Sequence, residues 1–417
     1  MRVWIVNQYA VPPTQAGITR HYTLASELLK RGHDVTVIAS SFDHVTRRET
    51  RLAPGEQARL ETMGKVPFLW LRTPPYRGNT LARMTNMVTF ARQLIQWVPR
   101  LELPAPDVIV GSSPHLFGAL AAERLARRFG VPFVLEVRDL WPQSLIDLGG
   151  VSAHHPVVLA LGHIEKYLYR ESSRILALLP GAVEHLVAKG AERARVVYLP
   201  NGADLSVLPA PEPPPANPRF TILYAGTHGL ANGLDGLLDA AAMLQAEGFA
   251  DRVLMRFVGD GPEKPRLMRR AEAEGLSLVR FEPPVAKEVI HAVLASADAF
   301  MVTMHAIGLY RFGISFNKIY DYMAAGRPTV LGASASNNPI AEAGCGLSVP
   351  AGDARAMADA IRQLAEMTPQ ERWELGQRGR AAVERQHDFR RLAETLEQTL
   401  LEVIGVPEEL LAPKVAS

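Results

Sequence analysis

The chain has 417 residues, enough for two or three domains with large cores, and its 47% apolar and 21% charged content is ordinary for a globular enzyme. A net charge of +2 gives no argument for nucleic acid as a partner, and the single cysteine, Cys345, excludes an internal disulfide framework and thiolate metal clusters, which fits a reducing cytoplasm. No apolar run approaches the length of a membrane-crossing helix, and MRVWIVNQY at the start reads as a core strand, not a signal peptide.

In chain order, residues 2–7 form that strand, a loop with Pro12, Pro13 and Gly17 follows, and a helix with Leu24, Leu28 and Leu29 runs to Gly32. With the strand Val35–Ala39 this is the βαβ opening of a doubly wound domain. Gly17 stands just ahead of the helix, where bare backbone can approach a phosphate; it also fits a plain turn. Residues 44–65, with Arg47, Arg48, Arg51 and Arg59, read as a polar surface insertion after which comes a strand, Phe68–Arg72. Residues 76–100 mix Arg77, Arg83, Arg92 and Arg100 with Met84, Met87, Val88, Phe90, Leu94, Ile95 and Trp97. That pattern suits a helix lying on an anionic membrane surface, and equally a core helix with a solvated polar face. The strand Asp107–Gly111 leads to His115 at its carboxyl end, where ligands gather in open α/β sheets. The next strand, Val131–Val137, delivers Arg138 and Asp139. Asp139 is of the type that orients or deprotonates an acceptor hydroxyl, whereas Arg138 also fits a simple ion pair with a neighbouring carboxylate. ARVVYLPNGADL supplies the last strand of this half, with Asn201 and Gly202 in a tight turn, and PAPEPPPANP (209–218) is too rich in proline to be anything but a linker.

The second half opens with strand FTILYAG, loop THGLANGLD and a long helix, then LMRFVGDGP, VRFEPPV and HAVLASADAFMV. Its centre is GISFNKIYDYMAAGRPTVLGAS, residues 313–334. Ser315 sits where an N-cap would, Ile319, Tyr322, Met323 and Ala325 recur at helical spacing, and Gly326 supplies a left-handed stop before a buried strand. Lys318 and Asp321 project from one face, so a cation and the helix-start amides converge where a diphosphate can sit, with a carboxylate one turn on for sugar hydroxyls. The same spacing fits an ordinary amphipathic helix with a solvated charge pair. Asp353 reads as the N-cap of the helix after AEAGCGLSVPAG, Cys345 as a small buried residue, and the Arg and Glu pairs beyond about residue 370 as solvated helix faces.

Gly17, the RDLWP strand end, PNGAD, the YAG loop, VGDGP, MAAGRP and GDARAMADAI come in the order in which family 4 retaining glycosyltransferases carry such elements, and nearly the whole chain resembles that family. The resemblance implies a GT-B fold: two Rossmann-like doubly wound α/β domains facing each other across a cleft, here residues 1–205 and 206–387, with 388–417 as a helix crossing back to the first. It implies a ribose-binding role for Asp321. The family's first glutamate is Gly313 here, so only loop backbone is left for the donor sugar. The usual arginine and lysine clamp on the diphosphate falls on Thr227 and Asn232. Its work passes to the amides of Gly226–Gly229, to His228, to Arg311 and above all to Lys318. Gly17 is placed near the same diphosphate. The VRFEPPV segment, with Glu282, matches the loop that holds the nucleobase by backbone groups. The family's histidine before the strand-end aspartate is Arg138, a trait shared with the WbuB-like subgroup, as is the Asn317–Lys318 pair.

The resemblance further implies a retaining transferase that moves a sugar, of the N-acetyl-aminosugar type, from a UDP-sugar to a lipid-linked saccharide in envelope polysaccharide synthesis. No cofactor and no essential metal are expected, no nucleic acid is a partner, and the protein is expected in the cytoplasm or on the inner membrane face through residues 76–100. Asp139, Lys318, Arg138 and His115 are the candidate catalytic residues. Gly17, Gly226, Thr227, His228, Asn232, Glu282, Arg311, Gly313, Ser315, Asn317 and Asp321 are the candidate donor-binding ones. A sugar-nucleotide epimerase and a non-catalytic nucleotide-sugar-binding protein remain as alternatives.

Overall fold

Strands such as VWIV, VIAS and FTILYA lack polar alternation because both of their faces are covered. The computed structural model describes every residue except 16, 79–80, 214–216, 287–288 and 406–417, so the proline-rich linker and the 76–100 segment lie partly outside the described residues. The chain forms two units, Met1–Pro200 together with the chain from Phe389 onward, and Asn201–Asp388.

In the first unit the strands are β1 (Arg2–Val6), β2 (Asp34–Ser40), β3 (Phe42–Asp43), β4 (Arg48–Glu49), β5 (Ala58–Met63), β6 (Val66–Leu71), β7 (Val108–Ser112), β8 (Phe133–Val137), β9 (Arg174–Ala177) and β10 (Val196–Tyr198). Helices α1 (Arg20–Lys30), α2 (Leu81–Trp97), α3 (Leu116–Phe129), α4 (Gln143–Asp147), α5 (Pro156–Glu171) and α6 (Ala182–Ala188) connect them. The main sheet runs β10-β9-β8-β7-β1-β2-β6-β5, parallel throughout except for β5 against β6. The order reverses between β1 and β7, which makes the carboxyl ends of those strands the place for a ligand. The polar insertion is therefore not merely a surface excursion: it supplies the edge strand β5 and β4, which pairs with β3 just ahead of it.

Helix α2 buries Met87, Phe90 and Leu94 and is packed against α3, so these three of the seven apolar residues named in 76–100 belong to the core, with Met84 and Trp97 half-buried. Leu81, Val88 and Ile95, seven residues apart, form a narrow exposed apolar stripe beside Arg92.

The second unit has β11 (Phe220–Ala225), β12 (Val253–Val258), β13 (Val279–Glu282), β14 (Ala299–Thr303), β15 (Thr329–Gly332) and β16 (Gly346–Val349), in the all-parallel order β13-β12-β11-β14-β15-β16. Its helices are α7 (Asp235–Ala246), α8 (Lys264–Ala273), α9 (Ile290–Ala295), α10 (Asn317–Ala324), α11 (Pro339–Ala343), α12 (Ala354–Glu366) and α13 (Pro369–Ala382). The reversal lies between β11 and β14, so the loop after β11 is placed for a ligand. Asp353 caps α12 by accepting from the Ala356 amide at 2.9 Å, and Gly326 ends α10 with φ +68°.

The last helix, α14 (Phe389–Val403), belongs to the first unit. It buries Phe389, Leu392, Leu396 and Leu400 in the cluster that holds Leu24 and Leu28 of α1, each worth about 1.5–3 kcal/mol on burial. Arg31 adds ion pairs to Glu394 (2.7 Å) and Glu397 (3.0 Å).

Candidate functional site

In the second unit the loop entering α10 is built by two asparagines. Gly313 turns with φ +103°, a conformation that favours glycine. Asn337 then clasps Ile314 from both sides, accepting from its amide at 2.7 Å and donating to its carbonyl at 3.0 Å. Ser315 is not the N-cap that its position suggests. Its hydroxyl accepts the Asn201 amide at 2.9 Å, and its carbonyl accepts the Asn201 side chain at 2.5 Å. Phe316 occupies the N-cap position and has no side-chain acceptor to offer, so the first-turn amides of α10 remain uncapped. Asn317 is the exposed first residue of that helix, and Asp321 lies one turn after Lys318, half-buried.

Lys318 closes a ring of hydrogen bonds. Its ammonium donates to the Tyr224 hydroxyl (2.8 Å) and the Asn232 carbonyl oxygen (3.1 Å). Tyr224 and the Asn232 amide then both donate to the Thr227 carbonyl, at 2.7 and 3.0 Å. The ammonium also stands 4.4 Å over the Tyr224 ring, and burial without a carboxylate partner lowers its pKa to about 8. Gly226, φ +152°, has to be glycine: a Cβ there would stand 3.2 Å from the Lys318 ammonium. On the far side of the same loop, a Cβ on Gly259 would overlap the Gly226 carbonyl, which explains the VGDGP glycine. Gly226, Thr227, Asn232 and Lys318 thus come together, with Asn317 and Asp321 on the same helix.

Three expected donor contacts do not join them. Glu282 faces Arg256 across the strand pair, with bonds of 2.7 and 2.9 Å that hold its carboxyl below the usual range. Its side chain is thereby committed, while its carbonyl accepts Lys264 at 2.6 Å. Arg311 folds back on its own exposed turn, donating to the Gly308 carbonyl at 2.5 Å and lying 4.3 Å over Phe312. His228 is fully buried beside Tyr224 and Phe281, and neither ring nitrogen has a partner among the described residues. Burial and the Lys264 cation push its pKa down to about 4, so it supplies no charge to a diphosphate at neutral pH.

In the first unit, the Ser113 hydroxyl accepts the amides of Arg138 (2.8 Å) and Asp139 (3.3 Å), which pins the end of β8 and leaves Asp139 exposed. His115 is a cap, not a base. Its Nδ1 accepts the Gly118 amide at 3.3 Å, so Nε2 carries the proton it gives to Gln8 at 2.6 Å. Burial lowers its pKa to about 3. Gly17, φ +142°, lies in a loop closed by the Val11 amide on the Ile18 carbonyl (3.1 Å) and lines a small cavity with Tyr9, Phe42 and Trp70. Glu136 of β8 meets Arg20 and His21 of α1 in a buried polar group that sequence spacing did not reveal, because the carboxylate lies more than 100 residues from the other two. Asn337, whose contact with Ile314 spans 23 residues, also escaped, although its place just before the Pro339 helix start was a signal for a structured loop.

Two family models match the chain. One is a glycosyl transferase 4-like domain over residues 16–202, the other glycosyl transferases group 1 over 219–367. A protein of Escherichia coli K12 named for colanic acid biosynthesis, the glycosyl transferase WcaI, is 25% identical over 241 residues. That match covers 55% of this chain and only 58% of the relative. Among solved structures, the sucrose-phosphate synthase of Thermosynechococcus elongatus superposes with a TM-score of 0.73 at 17% identity, over 97% of this chain and 100% of the other. HepE of Anabaena, in complex with UDP and glucose, gives 0.67 at 15% identity over 96% and 100%.

Proposed function

From the premise that the chain belongs to the glycosyltransferases of GT-B fold, with a 4-like domain followed by a group 1 domain, we propose that it transfers a sugar from a UDP-sugar with retention of configuration. The observation that carries the donor assignment is Lys318: a carboxylate-free ammonium, fixed by Tyr224 and Asn232, at the uncapped start of α10. A diphosphate completes that arrangement, taking the charge of Lys318 and the free first-turn amides. HepE, a structural neighbour, was solved with UDP, which supports uridine as the base. Asp321 holds the ribose hydroxyls. The sugar, of the N-acetyl-aminosugar class, is met by the Gly313–Ser315 backbone in place of the family's missing first carboxylate.

The acceptor is a lipid-linked saccharide of the cell envelope, and the chain falls in the WbuB-like subgroup by its RDLWP strand end. The acceptor oxygen bonds to the anomeric carbon as the bond to the diphosphate breaks, and the leaving phosphate oxygen takes the acceptor's proton on the same face. Asp139 orients that hydroxyl. Lys318 and the helix amides stabilise the departing charge, a role worth several kcal/mol for one placed cation. No divalent metal is required. Among the described residues no helix is long and apolar enough to cross a membrane. The Leu81–Val88–Ile95 stripe with Arg92 docks the protein on the anionic membrane face where a lipid-linked acceptor is found.

Thermal-shift measurement with UDP, GDP, ADP and dTDP is the first test. A ligand at a hundredfold its Kd adds about 2.7 kcal/mol of stability. A shift for UDP, lost in K318A, is expected; no shift with any nucleotide would overturn the proposal. Co-sedimentation with anionic vesicles, abolished in V88S/I95S, tests the docking face.

A further inference from the structure

At the carboxyl edge of the first unit Arg20, His21 and Glu136 are buried together, and Arg138 stands two residues on from Glu136, partly exposed. Glu136 takes three hydrogen bonds. Its Oε1 accepts Arg20 Nε at 2.8 Å, and its Oε2 accepts His21 Nε2 at 2.7 Å together with the Ser112 hydroxyl. The other ends of Arg20 donate to the carbonyls of Leu199 (2.9 Å) and Pro200 (2.5 Å). Burial keeps His21 neutral at physiological pH. Arg20, Glu136 and Arg138 therefore carry one positive charge more than they neutralise.

The surplus sits on Arg138. Its Nη1 is shut off from water and has no hydrogen-bond acceptor among the described residues. No hydrogen bond joins the Arg138 guanidinium to Glu136 among the described residues, and Asp139, the next residue, is exposed. Among the described residues the ion pair that the sequence allowed for Arg138 is not formed. The residue is nevertheless partly exposed, and its root is fixed because Ser113 holds the amides of both Arg138 and Asp139. Leaving a half-desolvated guanidinium nitrogen unpaired is unfavourable, and a planar donor fork is matched best by an oxyanion.

We infer that Arg138 is an oxyanion receptor on the first unit and takes a phosphate or carboxylate group of the acceptor. The inference rests on the glycosyltransferase reading only in assigning that oxyanion to the acceptor. Two sources fit the chemistry, the phosphate of a lipid-linked saccharide and the carboxylate of an acidic sugar, and they are separated by the probe.

The test is calorimetric titration of the full chain with inorganic phosphate and, separately, with glucuronate, each in saturating UDP so that the Lys318 site is already filled. One of the two is expected to bind the wild type, with R138Q weakening it at least about tenfold and R138K falling between. Phosphate binding points to the lipid phosphate and glucuronate binding to an acidic sugar. Because the Arg138 Nη1 has no hydrogen-bond acceptor among the described residues and burial disfavours its charge, the melting temperature of R138Q is expected to equal or exceed that of the wild type. Binding of neither probe, or equal binding by wild type and R138Q, overturns the inference. Absence of UDP binding in the same samples would instead strike the donor assignment.

Discussion

Replacing Lys318 by methionine should make the protein more stable and less able to bind UDP at once. The ammonium is half-buried, has two neutral hydrogen-bond partners and no carboxylate, and its pKa falls from 10.5 to about 8. A folded-state pKa below the unfolded value means that the charged form is disfavoured by folding. The penalty is fully present below about pH 8 and fades as pH rises toward the unfolded value, and its size is about 3 kcal/mol before allowance for the hydrogen bonds given up. Lost bonds to Tyr224 and Asn232 return about 1 kcal/mol each, so a net gain of about 1 kcal/mol at pH 7 is expected for K318M without ligand. The same pKa sets the pH profile of UDP binding. The cation that meets the diphosphate is mostly present at pH 7 and mostly absent at pH 9 in the empty site, so Kd should rise about tenfold across that interval. K318R, whose charge does not titrate there, should give a flat curve, and K318M a flat curve at weaker affinity. Calorimetry at four pH values, with melting curves of the unliganded variants, measures all of this. A wild-type Kd independent of pH, or K318M binding UDP as tightly as wild type, would refute the reasoning.

Other perturbations follow from single contacts. G226A places a Cβ 3.2 Å from the Lys318 ammonium and demands φ +152° of an alanine, so donor affinity should fall by more than tenfold in the same titration. E136A leaves Arg20 and His21 without their acceptor in the core and should lower stability by about 3–5 kcal/mol in denaturant unfolding. Glu136 is held well below the usual carboxylate range despite its burial, by His21 and Arg20. Its stabilising contribution is therefore fully present above the unfolded pKa and lost as pH falls through the much lower folded one, so wild type should outlast E136Q by a steady margin at neutral pH, and that margin should shrink on acidification below the unfolded pKa. S315A leaves the Asn201 amide without its acceptor at the mouth of α10 and should cost about 1–2 kcal/mol in melting experiments. Cys345 is fully buried with its thiol pushed up to about 12, so a thiol reagent at pH 8 should label the native chain only at the rate of unfolding.

What the sequence disclosed and what it hid divide along chain distance. The α10 segment was legible because its signals are local: helical spacing from Ile319 to Met323, a glycine stop at 326, and the apolar run Thr329–Leu331. The pairing of Lys318 with Asp321 on one face needed nothing beyond 3.6 residues per turn. Ser315 misled because N-cap preference is also local, and a contact 114 residues away won: its hydroxyl serves Asn201 instead. His115 misled in the opposite sense, since a strand-end histidine was read as chemistry when it caps its own helix and bonds Gln8 across 107 residues. His228 and Glu282 were assigned by their place in a motif, which says nothing of whether a ring is charged or a carboxylate already engaged.

The same division explains why the two halves of the reaction are unequally defined. A diphosphate is recognised by generic means, a helix start and a cation, and both lie within residues 313–321 and the loop after β11. The acceptor side depends on strand ends brought together from β1, β7 and β8, where Asn7 donates to Ser112 at 2.9 Å and Ser112 donates to Glu136. Nothing in residue spacing foretells that Glu136 will be engaged by Arg20, His21 and Ser112 while the Arg138 Nη1 is left without an acceptor among the described residues. Substituting Arg138 by histidine, the residue the family usually has there, discriminates between the two roles open to that position. A neutral imidazole keeps a hydrogen-bond donor and removes the fixed charge. If Arg138 acts only as a donor to a hydroxyl, R138H should retain the acceptor KM. If it receives an oxyanion, R138H should raise that KM about tenfold while leaving the KM for the UDP-sugar unchanged.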